Sequence, residues 1–231
     1  MHVDALDETR AGEFSRRQLY RDQSCVMVMP ILGDTIPARV HDGLMNLQRL
    51  PNQKFTNVLV GNMEVSAGYD WAVNLILSQP TLRDWKWMLC VEQDNLPPHD
   101  GFVQLVTYAT EHDYDVLGGL YWIKGMDGVP QIWGDRADEV NFRPQPPDLS
   151  GGVVDCWGTG MGFTLFRLDL FRDMEAPWFY TPPEDGMWTQ DLRFFDRLHK
   201  HRDTVGLPPA KVGVHCGVKV GHIDLTTGDV W

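Results

Sequence analysis

Short apolar runs alternate with stretches of helical spacing through the first half of the chain. Cys25-Val-Met-Val-Met-Pro30 is an apolar run stopped by proline, and Val40, Leu44, Leu47 and Leu50 then fall at helical spacing. The pattern predicts a strand, a loop and a helix over 36–50. It repeats: 55–60 is strand-like, the glycines of 61–68 mark a loop, and 71–77 returns to helical spacing. Large apolar residues over 85–91 predict a third strand, followed by a polar turn over 92–100, a helix over 101–111 and a fourth strand over 115–121. Strands alternating with helices predict an α/β fold whose mostly parallel sheet is covered on both faces. Such sheets bind ligands at the carboxyl ends of their strands.

After Trp122 the alternation fails. Pro130, Pro144, Pro146 and Pro147 interrupt the chain, and short strand-like pieces follow at 153–156 and 161–166, so an irregular second half is expected. Its one clear helix is 189–200, with Leu192, Phe195 and Leu198 on one face and Thr189 as the cap. An apolar strand over 212–220 comes after it. With 231 residues the chain suits one buried α/β core, here 25–231, preceded by a polar arm or helix over 1–24.

Composition is that of an ordinary globular chain, 43% hydrophobic and 23% charged, so charge balance is the more informative quantity. The 32 acidic and 20 basic residues give a net charge of −12, a field that repels polyanions at long range. A nucleic-acid partner would need a local basic patch, and Arg16-Arg17 and Lys200 to Arg202 read as solvated helix charge. The first 24 residues alternate acids and bases without an apolar core, which excludes a secretory signal. No stretch approaches the ~20 apolar residues of a membrane span. Cys25, Cys90, Cys156 and Cys216 lack CxxC spacing, as suits buried reduced thiols in a cytoplasm. The adjacent His215 and Cys216 make a poor zinc pair with Cys156, because neighbouring ligands rarely reach one tetrahedral centre.

The stretch Leu89-Cys-Val-Glu92-Gln93-Asp94-Asn95-Leu96-Pro97-Pro98 carries the most chemistry. A hydrophobic strand ends and presents two carboxylates at i and i+2, a spacing that projects both to one side of a strand tip. Paired carboxylates there suit a hard cation such as Mg²⁺ or Mn²⁺. From two acids alone, a solvated acidic turn is the competing reading.

This stretch resembles the DxD motif of GT-A glycosyltransferases, with Asp94 matching the last aspartate and Glu92 in place of the commoner first one. Four further segments extend the resemblance. Asp115-Val-Leu-Gly-Gly-Leu-Tyr121 is similar to the strand after the DxD helix, whose end passes the donor sugar. Cys156-Trp-Gly-Thr-Gly-Met-Gly-Phe-Thr-Leu-Phe-Arg167 is similar to the glycine-rich acceptor-side loop and its strand. Met187-Trp-Thr-Gln-Asp191 resembles the "(E/D)D" motif that opens a helix, with Gln190 where an acid often stands. Val220-Gly-His222-Ile-Asp224 resembles the late segment that supplies a histidine to the metal. One departure is that Ala72-Val73-Asn74 replaces the family's Ala-Arg-Asn run. Phosphate charge then falls to the metal and to Lys124 or Lys219.

The resemblance implies a GT-A-like, Rossmann-type sheet flanked by helices, of the stand-alone viral or bacterial kind, with a donor half 25–122 and an acceptor half 123–231. It implies sugar transfer from a nucleotide diphosphate sugar, with a UDP-sugar expected, to a hydroxyl of a glycan, a protein or a modified DNA base. Mn²⁺ or Mg²⁺ is implied, held by Asp94 and His222 with Glu92 beside them, His215 being the competing histidine. Donor contacts are implied for Pro30, Asn74, Glu92, Asp94 and Tyr121, and acceptor contacts for Trp157, Gly158, Gly160 and Trp188. Asp191 is the implied general base of an inverting reaction. Two other readings compete. A noncatalytic carbohydrate-binding module explains the nine Trp residues but not the ordered series Glu92, Asp94, Asp191 and His222. A sugar nucleotidyltransferase needs a Gly-rich, basic loop after the first strand, and Pro30-Ile-Leu-Gly-Asp-Thr-Ile lacks one.

Overall fold

The structure is a computed structural model that describes residues 22–33, 35–125, 128–181 and 189–231. The strand β1 (Cys25–Ile31) shows how the core is laid out. Its Cys25, Met27 and Met29 pack on one side of the sheet, and Val26 and Val28 pack on the other. The same division separates Trp87, Leu89 and Val91 from Met88 and Cys90 in β3 (Trp87–Val91). Side chains alternate along a strand, so a strand buried on both faces reads as an unbroken apolar run. One face is covered by α1 (Ala38–Met45) and α3 (Gly101–Glu111), through Val40, Phe102, Leu105 and Val106. The other is covered by α2 (Val65–Ser78) and α5 (Gln190–Thr204), through Tyr69, Val73, Ile76, Phe194 and Phe195.

Six more strands complete the main sheet: β2 (Phe55–Gly61), β5 (Val116–Leu120), β6 (Ile132–Asp135), β7 (Val153–Thr159), β8 (Phe163–Arg167), which lies between β3 and β5, and β9 (Val212–Lys219). Among the described residues the order is β2-β1-β3-β8-β5-β9-β7-β6. Both β2 and β3 run parallel to β1, while β8 is antiparallel to β3 and β5. The strand β9 is parallel to β5, and β7 is antiparallel to β9. The sheet is therefore mixed around a parallel majority. Ile31 pairs with Gly61, and Val28 pairs with Cys90 one residue before β3 ends at Val91. The first three strands thus finish at one edge, which is where the acidic motif begins. The irregularity expected of the second half lies in the 136–152 loop, and the same half supplies β6 to β9. A short helix, α4 (Asp169–Asp173), follows β8.

Two boundaries differ from the sequence pattern for identifiable reasons. The helix expected from 71 begins at Val65, because the Glu64 carboxylate accepts from the Ala67 N–H at 3.1 Å and caps it. Gly68, which read as loop, lies inside that helix, and a Cβ there would come within 3.3 Å of Pro30 Cβ. The glycine serves close packing of helix on strand. The polar arm was expected to reach residue 24, yet Gln23 and Ser24 are buried: the Trp87 indole donates to Gln23 Oε1 at 2.6 Å, and Trp87 N–H donates to the Ser24 carbonyl at 2.9 Å. The rest of the arm, 1–21, lies outside the described residues.

Candidate functional site

The acidic motif is a turn rather than a strand tip. The strand β3 stops at Val91, and the Asn95 N–H then donates to the Glu92 carbonyl at 3.1 Å, so strand alternation does not govern Glu92 and Asp94. A two-residue strand, β4 (Asn95–Leu96), follows and pairs antiparallel with β10 (Gly221–His222), matching Asn95 to His222. The Ile223 N–H donates to the Asp94 carbonyl at 2.7 Å. Backbone pairing alone therefore carries His222 to Asp94.

The side chains meet as that pairing dictates. His222 Nε2 lies 3.7 Å from Asp94 Oδ2, too far for a hydrogen bond. The other ring nitrogen, Nδ1, lies 2.8 Å from the Trp122 carbonyl. A carbonyl only accepts, so Nδ1 carries the hydrogen and Nε2 is the ring nitrogen turned toward Asp94. The Tyr121 ring sits edge-on to the same imidazole, with centroids 5.5 Å apart. Lys124 donates to Asp94 Oδ2 and forms an ion pair with it. Burial pushes the Asp94 carboxyl up, but His222 and Lys124 beside it outweigh that and hold it below the ordinary carboxylate range. Asp94 Oδ1 is buried and has no hydrogen-bond partner.

Glu92 and Asp191 border this centre without joining it. Burial pushes Glu92 up to about 8, and the charges of Asp94 and Asp191 add to the rise against the opposing pull of Lys124. Asp191, in the first turn of α5, is only 7% exposed, and burial raises its pKa as well. Its Oδ1 accepts from the Leu192 N–H at 2.8 Å and from the Thr189 hydroxyl. Thr189 occupies the N-cap position, but it spends its hydroxyl on Asp191 instead of on the helix backbone.

Among the described residues no group of three His, Cys, Asp or Glu side chains converges on one point. Glu92, Asp94 and His222 accordingly form no such group of three in this arrangement. His215 lies on β9 with its Nδ1 accepting from the Gly217 N–H at 3.2 Å, apart from Asp94. The two-residue donor set still fits a divalent cation. Asp94 offers an ionised carboxylate with an unpartnered buried oxygen, and His222 offers an oriented ring nitrogen.

The other expected contacts divide. Tyr121 ends its segment beside His222, and its hydroxyl accepts from the Gly162 N–H at 2.8 Å. A Cβ at Gly160 would overlap that hydroxyl, and one at Gly158 would come within 3.0 Å of the Phe195 ring. Both glycines therefore serve close packing behind the site. Pro30 packs on Gly68 at the end of β1, beyond Val28, where the ladder to β3 has stopped. Asn74 sits roughly 13 Å along α2 from its start at the carboxyl-end edge. It is exposed there and donates to the Asp70 carbonyl at 3.1 Å. Trp157 is 6% exposed, with its indole N–H on the Asp135 carbonyl at 2.7 Å and Arg136 over its face at 4.0 Å, so it is a packing residue with no face left for an acceptor. Trp188 lies outside the described residues.

The sequence did not signal Asn95, which is fully buried with neither side-chain polar atom paired. Nor did it signal the Trp122 carbonyl, since a backbone acceptor leaves no trace in residue identity. A cavity of about 470 Å³ opens at the opposite edge of the sheet, around Asp115, Arg167, Arg202 and Lys211. Its charges pair with one another, Arg202 with Asp115 at 3.3 Å and Arg167 with Asp115 at 3.8 Å, and it holds none of the expected site residues.

No protein-family profile and no curated protein sequence matches the chain. Solved structures do match it. The crystal structure of A197 from STIV is similar over 87% of this chain and 86% of its own, with a TM-score of 0.60 and 16% identity. The crystal structure of GalNAc-T7 with UDP, GalNAc and Mn²⁺ is similar over 89% of this chain and 44% of its own, with a TM-score of 0.54 and 8% identity. The fold is GT-A-like. At such identities likeness speaks to fold alone, and activity has to be argued from the residues. No helix among the described residues is long and apolar enough to cross a membrane.

Proposed function

We propose that the protein is a metal-dependent glycosyltransferase that moves a sugar from a UDP-sugar to an acceptor hydroxyl. The observation that carries this reading is the meeting of Asp94, His222 and Lys124 at the carboxyl edge of a GT-A-like sheet, with one Asp94 oxygen buried and unpartnered. The GalNAc-T7 neighbour, which holds UDP, GalNAc and Mn²⁺, supports the same donor and ion.

Asp94 and His222 would hold the cation, Mn²⁺ in preference to Mg²⁺ because an imidazole is in the donor set. When bound, the ion stabilises the negative charge that grows on the departing diphosphate. Trp122 keeps the His222 ring turned toward that place, and Lys124 supplies a second positive charge. Glu92, half-buried at the end of β3, is assigned to the donor's sugar or ribose. Asp191, steadied by Thr189 and the Leu192 N–H, takes the proton of the acceptor hydroxyl as that oxygen bonds to the anomeric carbon and the bond to the diphosphate breaks. Burial suits it to that task, since a carboxylate with a raised pKa is a stronger base.

A hydrolysis panel of UDP-, GDP- and CMP-sugars, with and without Mn²⁺, tests the reading. Turnover of a UDP-sugar only with the cation is the expected result. Cleavage of no donor under either condition would remove the transferase assignment.

A further inference from the structure

We propose that Lys124 is an exchangeable counter-cation, held by Asp94 while the site is empty and passed to the donor's diphosphate when a divalent cation takes its place. The inference rests on the function proposed above and concerns how that site loads. Its starting point is that Asp94 Oδ2, one of the two atoms of the donor pair, is already in use: Lys124 bonds to it directly, with the lysine 29% and the aspartate 18% exposed. An ammonium and a divalent cation cannot both sit on that oxygen, and Oδ2 is the oxygen that faces His222 Nε2, at 3.7 Å, so an ion shared between Asp94 and the imidazole takes the place of the lysine whether or not it also reaches Oδ1. Displacement leaves a half-buried ammonium without its partner, which is unfavourable unless another anion receives it. The diphosphate that completes the ion's coordination is such an anion, and it arrives at the same place.

The local backbone suits an exchange made by the side chain alone. Ile123 N–H donates to the Val129 carbonyl at 3.0 Å, Gln131 N–H donates to the Tyr121 carbonyl at 2.9 Å, and Trp122 bridges to Pro130, so both sides of the turn that carries Lys124 are pinned. Gly125, at φ +67°, makes the sharp bend that follows the lysine. Trp122 also anchors His222 through its carbonyl, so one short arm sets the positions of Lys124 and of the imidazole together. A lysine has four rotatable side-chain bonds, enough to swing its ammonium while the arm stays in place. The consequence is coupled loading, in which cation and nucleotide each bind weakly alone and strongly together.

Lys124→Met tests this by direct titration of Mn²⁺, read from the electron-paramagnetic-resonance signal of the free ion, and by calorimetry of UDP on the Mn²⁺-loaded protein. Removing the competitor should tighten Mn²⁺ binding in the absence of nucleotide by about tenfold, and should weaken UDP binding to the loaded protein by about tenfold. Lys124→Arg, which keeps the charge, should stay near wild type in both. Lys54→Met removes the same charge from an exposed position just before β2, at the other edge of the sheet, and should change neither by more than about twofold. Lys124→Met affinities that both fall, or that both stay within about twofold of wild type, would overturn the exchange while leaving the transferase reading intact. A folded wild-type protein that binds neither Mn²⁺ nor UDP would instead overturn the transferase reading, and the exchange with it.

Discussion

His199 lies in α5 with Nε2 2.8 Å from the Trp157 carbonyl, so that nitrogen must carry the hydrogen, and its buried Nδ1 has no partner. A second proton would have to go onto that unpartnered atom. Burial accordingly holds the imidazole down to about 4, from an ordinary 6.5. Between those values the unfolded chain takes up a proton that the folded chain refuses, so this residue's contribution is intact above pH 6.5 and is lost as pH falls toward 4. Urea unfolding at pH 7 and at pH 4.5 should show His199→Gln losing less stability than wild type, by up to about 2.5 kcal/mol. Equal losses would place the imidazole in contact with water. Asp191 is the other residue whose surroundings specify its behaviour. Asp191→Asn keeps the size and loses the base, so kcat for acceptor transfer should fall about 10²- to 10⁴-fold while UDP affinity is unchanged, as steady-state kinetics and calorimetry will show. Parallel losses of turnover and donor binding would make Asp191 a donor-orienting residue.

The connection from β7 to β8 is the element on which the site's shape depends. It crosses β5 at Gly118, where a Cβ would come within 3.0 Å of both the Thr159 and Thr164 hydroxyls, and it then places Gly160 against the Tyr121 hydroxyl. That hydroxyl is tied to the Gly162 N–H and cannot step aside without losing the bond. Gly160→Ala should therefore cost about 1–3 kcal/mol of stability in urea titration, and adding Tyr121→Phe should recover part of it. Additive losses would show that the two residues do not meet. Elements of this kind were legible where hydrophobic period decides the structure. The α3 span and the start of β1 fall where apolar spacing puts them, and the glycine-rich run 156–167 marks the crossover. What misled was glycine used for packing and carboxylate used for capping. Gly68 and Glu64 look like loop residues, and the contact with Pro30 and the bond to Ala67 that explain them are tertiary or local-geometric facts.

At the scale of the whole molecule, the parallel majority of the sheet puts the ends of β1, β2 and β3 at one edge, and the β4–β10 pairing folds the last part of the chain back onto that edge. The pairing of Asp94 with a late histidine came from resemblance. Composition and spacing hold no information about which of His215 and His222 would reach it, because that depends on where β9 ends and β10 begins. The i, i+2 argument for Glu92 assumed that β3 continues, and the turn at Glu92 removed that premise. Trp157 illustrates the converse, since an aromatic residue beside glycines suits a sugar as well as a core, and only burial decides between them. Because Asp94 lies outside the apolar layers, Asp94→Asn should leave the fold in place, as circular dichroism can confirm. The most direct measurement is then calorimetric titration of UDP into wild type and into folded Asp94→Asn, each with and without Mn²⁺. The account predicts that Mn²⁺ tightens UDP binding to wild type by about tenfold or more and does nothing for Asp94→Asn; a wild type indifferent to Mn²⁺, or an Asp94→Asn protein that keeps the full enhancement, would contradict it.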